Sequence, residues 1–216
     1  MKYAVYDTVV PQDKRQETNE KLLYLIDSGK AGDYGISGDD IYNLYTGDGG
    51  LHGLSRQDYE NYASYSKAKK EIENGQFFTP PVLCHLVTKA LSPPSDAAVA
   101  DLTCGAGAFF NFMPAENNLY GCELDMKAYK VAKYLYPRAN LVNGDIRSYQ
   151  PSIRFDYVVG NPPYNLRWWV EDDEKTLSQL YYCWKAAELL KPFGILAMIV
   201  PAAFLSDDFS DGAYIR

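Results

Sequence analysis

The residues best suited to chemistry stand together in Phe155-Asp156-Tyr157-Val158-Val159-Gly160-Asn161-Pro162-Pro163-Tyr164. An apolar run, read as a buried strand, ends there in two consecutive prolines, which remove two backbone donors and hold the chain extended. The side-chain oxygen of Asn161 and the carbonyl of Pro162 are then free to act as acceptors. Two acceptors suit a flat NH2 group whose lone pair is delocalised into a ring, because bonding both hydrogens pulls the nitrogen toward a pyramidal, nucleophilic form. Tyr164 offers a face on which such a ring can stack. A rigid loop with a buried tyrosine is the other use of the same residues.

Three more apolar runs end in residues of similar promise. Asp101-Leu102-Thr103-Cys104-Gly105-Ala106-Gly107 reads as a strand, a glycine turn and the start of a helix. Glycine lets a ligand approach the backbone closely, and the turn resembles the dinucleotide pattern without its third glycine. An ordinary tight turn has the same composition. Glu123 ends the next run, about twenty residues on, where a carboxylate can accept bonds from ribose hydroxyls. Asp145, after Gly144, ends the third. Each acid alone reads equally as a helix cap or a solvated turn; three at successive run-ends point to one ligand-binding edge.

The elements that must carry these residues follow from the spacing of apolar positions. From Gln76 onward, apolar runs at 97–102, 118–124, 139–142, 155–159 and 195–200 alternate with helical spacing at 80–91, 126–136 and 176–190. Thr79 is the expected cap of the first of these helices, with Pro80 and Pro81 in its first turn. Such alternation predicts crossover connections, hence a mostly parallel sheet with helices on both faces. Its ligands bind outside the carboxyl ends of the strands.

Residues 1–75 read as a separate, mainly helical appendage, and 76–216 as the α/β domain. A helix over 12–28 places Leu22, Leu23, Leu25 and Ile26 on one face and stops at Gly29. Residues 32–53 carry seven glycines and read as loop, with an apolar island at Ile41 to Tyr45. A second helix is expected from Ser55 to Asn74, with Tyr59, Tyr62, Tyr65 and Ile72 along one stripe. That stripe suits packing against the next domain, or stacking on bases. Trp168 and Trp169, followed by the acidic run Glu171 to Glu174, read as a mobile loop that either clamps a ligand or folds onto the surface.

Composition narrows the class further. The chain has 216 residues and a formal net charge of -7, which argues against gripping nucleic acid by bulk electrostatics. By segment the net charge is -4 over 1–75, zero over 76–150 and -3 over 151–216. Four cysteines without a CxxC pair, and two histidines, indicate neither a disulfide framework nor a zinc site. No metal is expected. The longest apolar stretch, 194–205, is too short to cross a bilayer, and the N-terminus lacks a secretory pattern, so the product is expected in the cytoplasm.

Asn161-Pro162-Pro163-Tyr164 after a Phe-Asp-apolar strand resembles the catalytic motif of S-adenosylmethionine-dependent amino-methyltransferases, and the turn from Asp101 to Gly107 is similar to their cofactor loop. Gln76-Phe77-Phe78-Thr79-Pro80 resembles the motif that precedes that loop in the γ-type N6-adenine DNA methyltransferases of restriction-modification systems. Residues 194–205 look like the strand after their catalytic helix. The resemblance spans about residues 75 to 205 and implies a Rossmann-like class I methyltransferase domain. It implies that Phe78 and Thr79 lie beside the methionine end of the cofactor and that Asp101 faces its amino group, while Gly105 permits close approach. Glu123 would hold the ribose hydroxyls, with Leu124 and Ile146 on the two faces of the cofactor's adenine and Asp145 on its amino group. Asn161, Pro162 and Tyr164 would receive a target adenine flipped out of DNA, with Asn161 also bordering the cofactor. Cys104 reads as a packing residue of the turn.

Two departures from the family pattern stand out. Leu102 replaces a frequent proline, and only 12 residues follow Phe204, where the family continues through further strands to a target-recognition domain. The chain therefore reads as a catalytic-domain fragment, with DNA recognition expected from further C-terminal domains or a specificity subunit. Methylation of RNA or of a protein glutamine, or a cofactor-binding module silent on its own, are the alternatives.

Overall fold

The structure is a computed structural model that describes residues 12–46, 59–66, 78–113, 118–164, 166–169 and 175–205. Helix α1 runs Gln12–Asp27 and ends as the sequence predicts. Gly29 has φ +70°, and the amides of Gly29 and Lys30 donate back to the carbonyls of Ile26 and Leu25 at 3.0 and 2.9 Å. The apolar island, expected within a loop, instead forms helix α2, Gly38–Thr46. Its Ser37 and Asp40 bond reciprocally at the start, and Ile41, Tyr42 and Tyr45 are buried. The glycines around it masked a short amphipathic turn pattern.

Of helix α3 the described residues are 62–66, after a bend at 59–61 where the helix was expected to be already running. The Asn61 side chain accepts the Ser64 amide at 2.9 Å, a capping bond that starts the helix later than Ser55. Tyr65 packs on Tyr59 and Tyr62, whose ring centroids lie 5.7 and 6.2 Å away. The rest of that predicted helix, including Ile72, lies outside the described residues.

Helix α4 is Pro81–Leu91 and leads into strand β1, Ala98–Asp101. Strand β2 is Asn118–Glu123, helix α5 Met126–Leu135, β3 Asn140–Asn143 and β4 Phe155–Gly160. After the glycine turn the chain makes only a short 3-10 turn, Phe110–Phe112, where an α-helix was expected. Met113, which precedes Pro114, is extended, as a residue before proline prefers to be.

The double-tryptophan segment, expected as a mobile loop, is strand β5, Arg167–Trp169, paired antiparallel with β6, Lys175–Leu177. Trp168 packs edge-on against Tyr181 at 5.8 Å, and the Lys175 ammonium lies 4.2 Å from the Trp169 ring centroid. These aromatic contacts give the ribbon the side-chain pairing that the sequence spacing did not advertise. Helix α6, Ser178–Leu189, then runs straight into β7, Leu190–Met198.

Five strands form one parallel sheet in the order β3-β2-β1-β4-β7. Apolar clusters cover both faces. On one, Leu22, Ile41 and Tyr45 share a core with Val99, Phe110 and Val131. On the other, Tyr182, Ala186 and Leu189 pack on Ala98, Ala100 and Val158. The helical N-terminal segment is thus built into the core beneath α5, where Lys130 also pairs with Asp27 at 2.6 Å. No helix among the described residues is long and apolar enough to cross a membrane.

Candidate active site

Because the strands are parallel and in register, their carboxyl ends form one edge, with Asp101 opposite Gly121 on β2 and Val159 on β4. Asp101 ends β1, Glu123 ends β2, Asp145 follows β3 and Asn161 follows β4. The chain leaves β1 toward β2 on one side, while β4 lies on the other. The gap between β1 and β4 is therefore the topological switch point, where the crevice of an open sheet forms. A cavity of about 320 Å³ bounded by Pro94, Asp156, Lys191 and Phe193 lies at the opposite, amino edge.

Asp101 and Glu123 are both buried. Glu123 accepts the Gly105 amide on Oε2 and the Asp125 amide on Oε1, each at 2.7 Å, and Asp101 Oδ1 accepts the Thr103 amide at 3.0 Å. Burial outweighs these bonds and pushes each carboxyl up to about 7, with Glu123 raising Asp101 further. Among the described residues no lysine or arginine pairs with either acid. The Thr103 hydroxyl beside them is buried and has no hydrogen-bond partner among the described residues. Such a site favours a ligand that brings positive charge and hydroxyl groups. Gly105 sits at φ +54°, and a Cβ there would lie 3.6 Å from the Phe78 ring, which rests edge-on against Tyr45 at 5.5 Å. Cys104 is buried, its thiol pushed well up by burial, as a packing residue would be.

Thr79 does not cap α4. Two prolines follow it, and Pro80 takes the cap position, its carbonyl accepting the Leu83 and Cys84 amides at 2.9 and 3.3 Å. The Thr79 hydroxyl is instead 3.2 Å from Asn161 Nδ2, which donates to it. This bond ties the segment before α4 to the turn after β4. The oxygen of Asn161, expected to be free, accepts the Tyr164 hydroxyl, which also lies 3.0 Å from the Ile199 carbonyl. That phenol has one proton for two acceptors, so donation to Ile199 releases the asparagine oxygen. The Pro162 carbonyl accepts no hydrogen bond among the described residues.

Sequence reasoning missed Ser178. Fully buried at the start of α6, it donates through Oγ to the Pro163 carbonyl at 2.6 Å and through its amide to the Leu166 carbonyl at 2.8 Å. A serine opening a helix ordinarily reads as a cap, so its service to the proline turn had no separate signal.

The remaining predicted residues are less uniform. Asp145 accepts the Arg147 amide at 2.8 Å and grips its guanidinium Nε at 2.9 and 3.0 Å, which holds the carboxyl below its usual range. Ile146 is buried in the core with Ala98 and Ala100, while Leu124 stands 68% exposed at the end of β2. The edge thus brings together Phe78, Thr79, Asp101, Gly105, Glu123 and the Asn161 turn, and it commits Asp145 to an ion pair. The described residues hold no group of three or more metal-ligating side chains.

An open parallel sheet with acids ending its first two strands and an Asn-Pro-Pro-Tyr turn at the switch point defines a Rossmann-like class I methyltransferase. Residues 57–206 match the family described as N-6 DNA Methylase, and the chain belongs to that family. It is similar to the type II methyltransferase M.TthHB8I of Thermus thermophilus, 32% identical over 161 residues, covering 63% of this chain and 37% of that protein. The type II methyltransferase M.CvrRI of a Paramecium bursaria Chlorella virus is 24% identical over 151 residues, covering 65% and 40%. The fold is like that of a type I restriction-modification methyltransferase subunit from Streptococcus thermophilus, with TM-score 0.54 and 18% identity over 100% of this chain and 60% of that one. The chain spans about two fifths of the length of these curated relatives. S-adenosylmethionine is the cofactor of this family and fold. The buried, cation-free acids and the left-handed Gly105 fit its ammonium and ribose.

Proposed function

We propose that the chain transfers the methyl group of S-adenosylmethionine to the N6 amino group of adenine in DNA. The turn after β4 carries this reading: a Pro162 carbonyl that accepts no hydrogen bond among the described residues and an Asn161 amide anchored on Thr79, beside the buried acids at the switch point. When bound, the cofactor supplies a methyl group on a sulfonium. Asp101 would hold its ammonium and Glu123 its ribose, while Phe78, Thr79 and Gly105 would shape the floor of the site. Leu124 and Ile146 would line the adenine, and an Asp145 oxygen would accept from its amino group if the Arg147 pair yields it.

The target adenine must leave the duplex, because its N6 is engaged in pairing. The Pro162 carbonyl and the Asn161 oxygen accept its two N6 hydrogens, and the ring of Tyr164 supports the base. Held so, the nitrogen would keep its lone pair available to the methyl group that the cofactor would supply, with S-adenosylhomocysteine as the leaving group and the N6 proton passing to water. Positioning and electrostatics supply the catalysis. Recognition of the DNA sequence falls to further C-terminal domains or a specificity subunit, a division that the type I relatives named as subunits favour.

Incubation of the chain with tritiated S-adenosylmethionine and DNA, RNA or protein, followed by digestion, tests the reading. Label in N6-methyladenine of DNA is expected; label only in RNA, in a protein amide or in another base overturns it. Asn161→Ala is expected to abolish transfer and leave cofactor affinity unchanged by calorimetry.

A further inference from the structure

Tyr182 lies within α6, completely buried, and no motif assigns it a role. Its phenol oxygen sits where β1 and β4 part. It donates to the Val159 carbonyl at 2.6 Å and accepts the Leu102 amide at 3.2 Å, bridging a donor on one strand end to an acceptor on the other. A Cβ on Gly160 would lie 2.1 Å from that oxygen and 3.2 Å from Asp101 Oδ1. Hydroxyl, carboxylate and the backbone entering Asn161 therefore meet at one place. Phenylalanine would fill the same volume, so packing alone does not call for the hydroxyl. A buried hydroxyl persists where its partners need it.

We propose that Tyr182 is a positioning residue of this site, its hydroxyl tying the Leu102 amide, next to Asp101, to the Val159 carbonyl and so fixing the end of β1 that carries Asp101 relative to the Asn161 turn. The role rests on the function proposed above, since it matters through the ammonium that Asp101 receives. The groups facing Asp101 are Glu123 from β2, Cys104 and the Thr103 amide from the glycine turn, Cys84 from α4 and Tyr182 from α6. Only Glu123 among them carries charge near neutrality.

The test is calorimetry on the full chain and its Tyr182→Phe variant with two ligands, S-adenosylmethionine and 5′-methylthioadenosine, which lacks the amino-acid end. Affinity for S-adenosylmethionine is expected to fall roughly ten-fold, with methylthioadenosine changed by less than about two-fold. Equal weakening of both ligands, or no change in either, overturns the role. Leu189→Ala, at the far end of the same helix, is expected to lower the melting temperature without altering the ratio of the two affinities. A changed ratio there would make Tyr182 merely one of many helix contacts and overturn the role. If Tyr182→Phe does not fold, Tyr182→4-aminophenylalanine, which keeps a donor, is expected to retain the wild-type ratio; loss of that ratio in a folded variant overturns it. A wild-type chain that binds neither ligand overturns the function proposed for the site, and this role with it.

Discussion

Asp101 and Glu123 hold their protons more tightly in the folded chain than in the unfolded one, about 7 against ordinary values of 3.8 and 4.5. The sign of their effect on stability follows: their contribution is complete below the ordinary values and is lost as pH rises through about 7. Asp101→Asn removes one such acid. We expect it to raise the melting temperature of the ligand-free chain at pH 8, to leave it nearly unchanged at pH 4, and to abolish S-adenosylmethionine binding, as thermal scans and calorimetry would read. The site therefore spends stability on binding. Both acids were legible in the sequence because each terminates an apolar run, and residues at the carboxyl ends of parallel strands share an edge. Their electrostatics were not legible, since burial and mutual repulsion depend on what packs around them. Nor was the Thr79–Asn161 bond, which joins residues 82 positions apart.

At the scale of elements, two glycines set tolerances that spacing alone does not reveal. Gly107 has φ +86°, and a Cβ there would fall 2.6 Å from the Tyr136 ring. Gly160 has no such backbone, yet a Cβ would strike the Tyr182 hydroxyl. Gly107→Ala is expected to cost at least about 1–3 kcal/mol from strain and overlap, read by urea unfolding. Gly160→Ala is expected to weaken cofactor binding as well, because it displaces the end of β4. Strands β1 to β4 were legible within a residue or two, each a compact apolar run. Helix α2 and the β5–β6 ribbon were not: glycines hid the first, and the second is held by cross-strand contacts of Trp169 with Lys175 and by the packing of Trp168 on Tyr181.

Across the whole molecule, the N-terminal helices and the sheet share one core, so the change of composition near Gly75 marks no break in packing among the described residues. Ile41→Ala, fully buried on α2, is expected to cost about 2–5 kcal/mol, and calorimetric melting should show one lowered transition for the entire chain. Two transitions would show that the appendage unfolds independently. The parallel sheet itself was legible from the alternation of elements, whereas the docking of α1 and α2 beneath α5 was not, because it depends on side chains far apart in sequence. One further property follows from strand order. Among the described residues β7 has β4 on one side and no strand on the other, and its Phe193 and Ile195 are exposed at 103% and 46%. An edge left unpaired among the described residues, with apolar side chains beside it, is a template for strand addition. In concentrated stocks the chain should therefore form reversible oligomers whose light scattering grows with concentration, and Ile195→Lys should keep them clear.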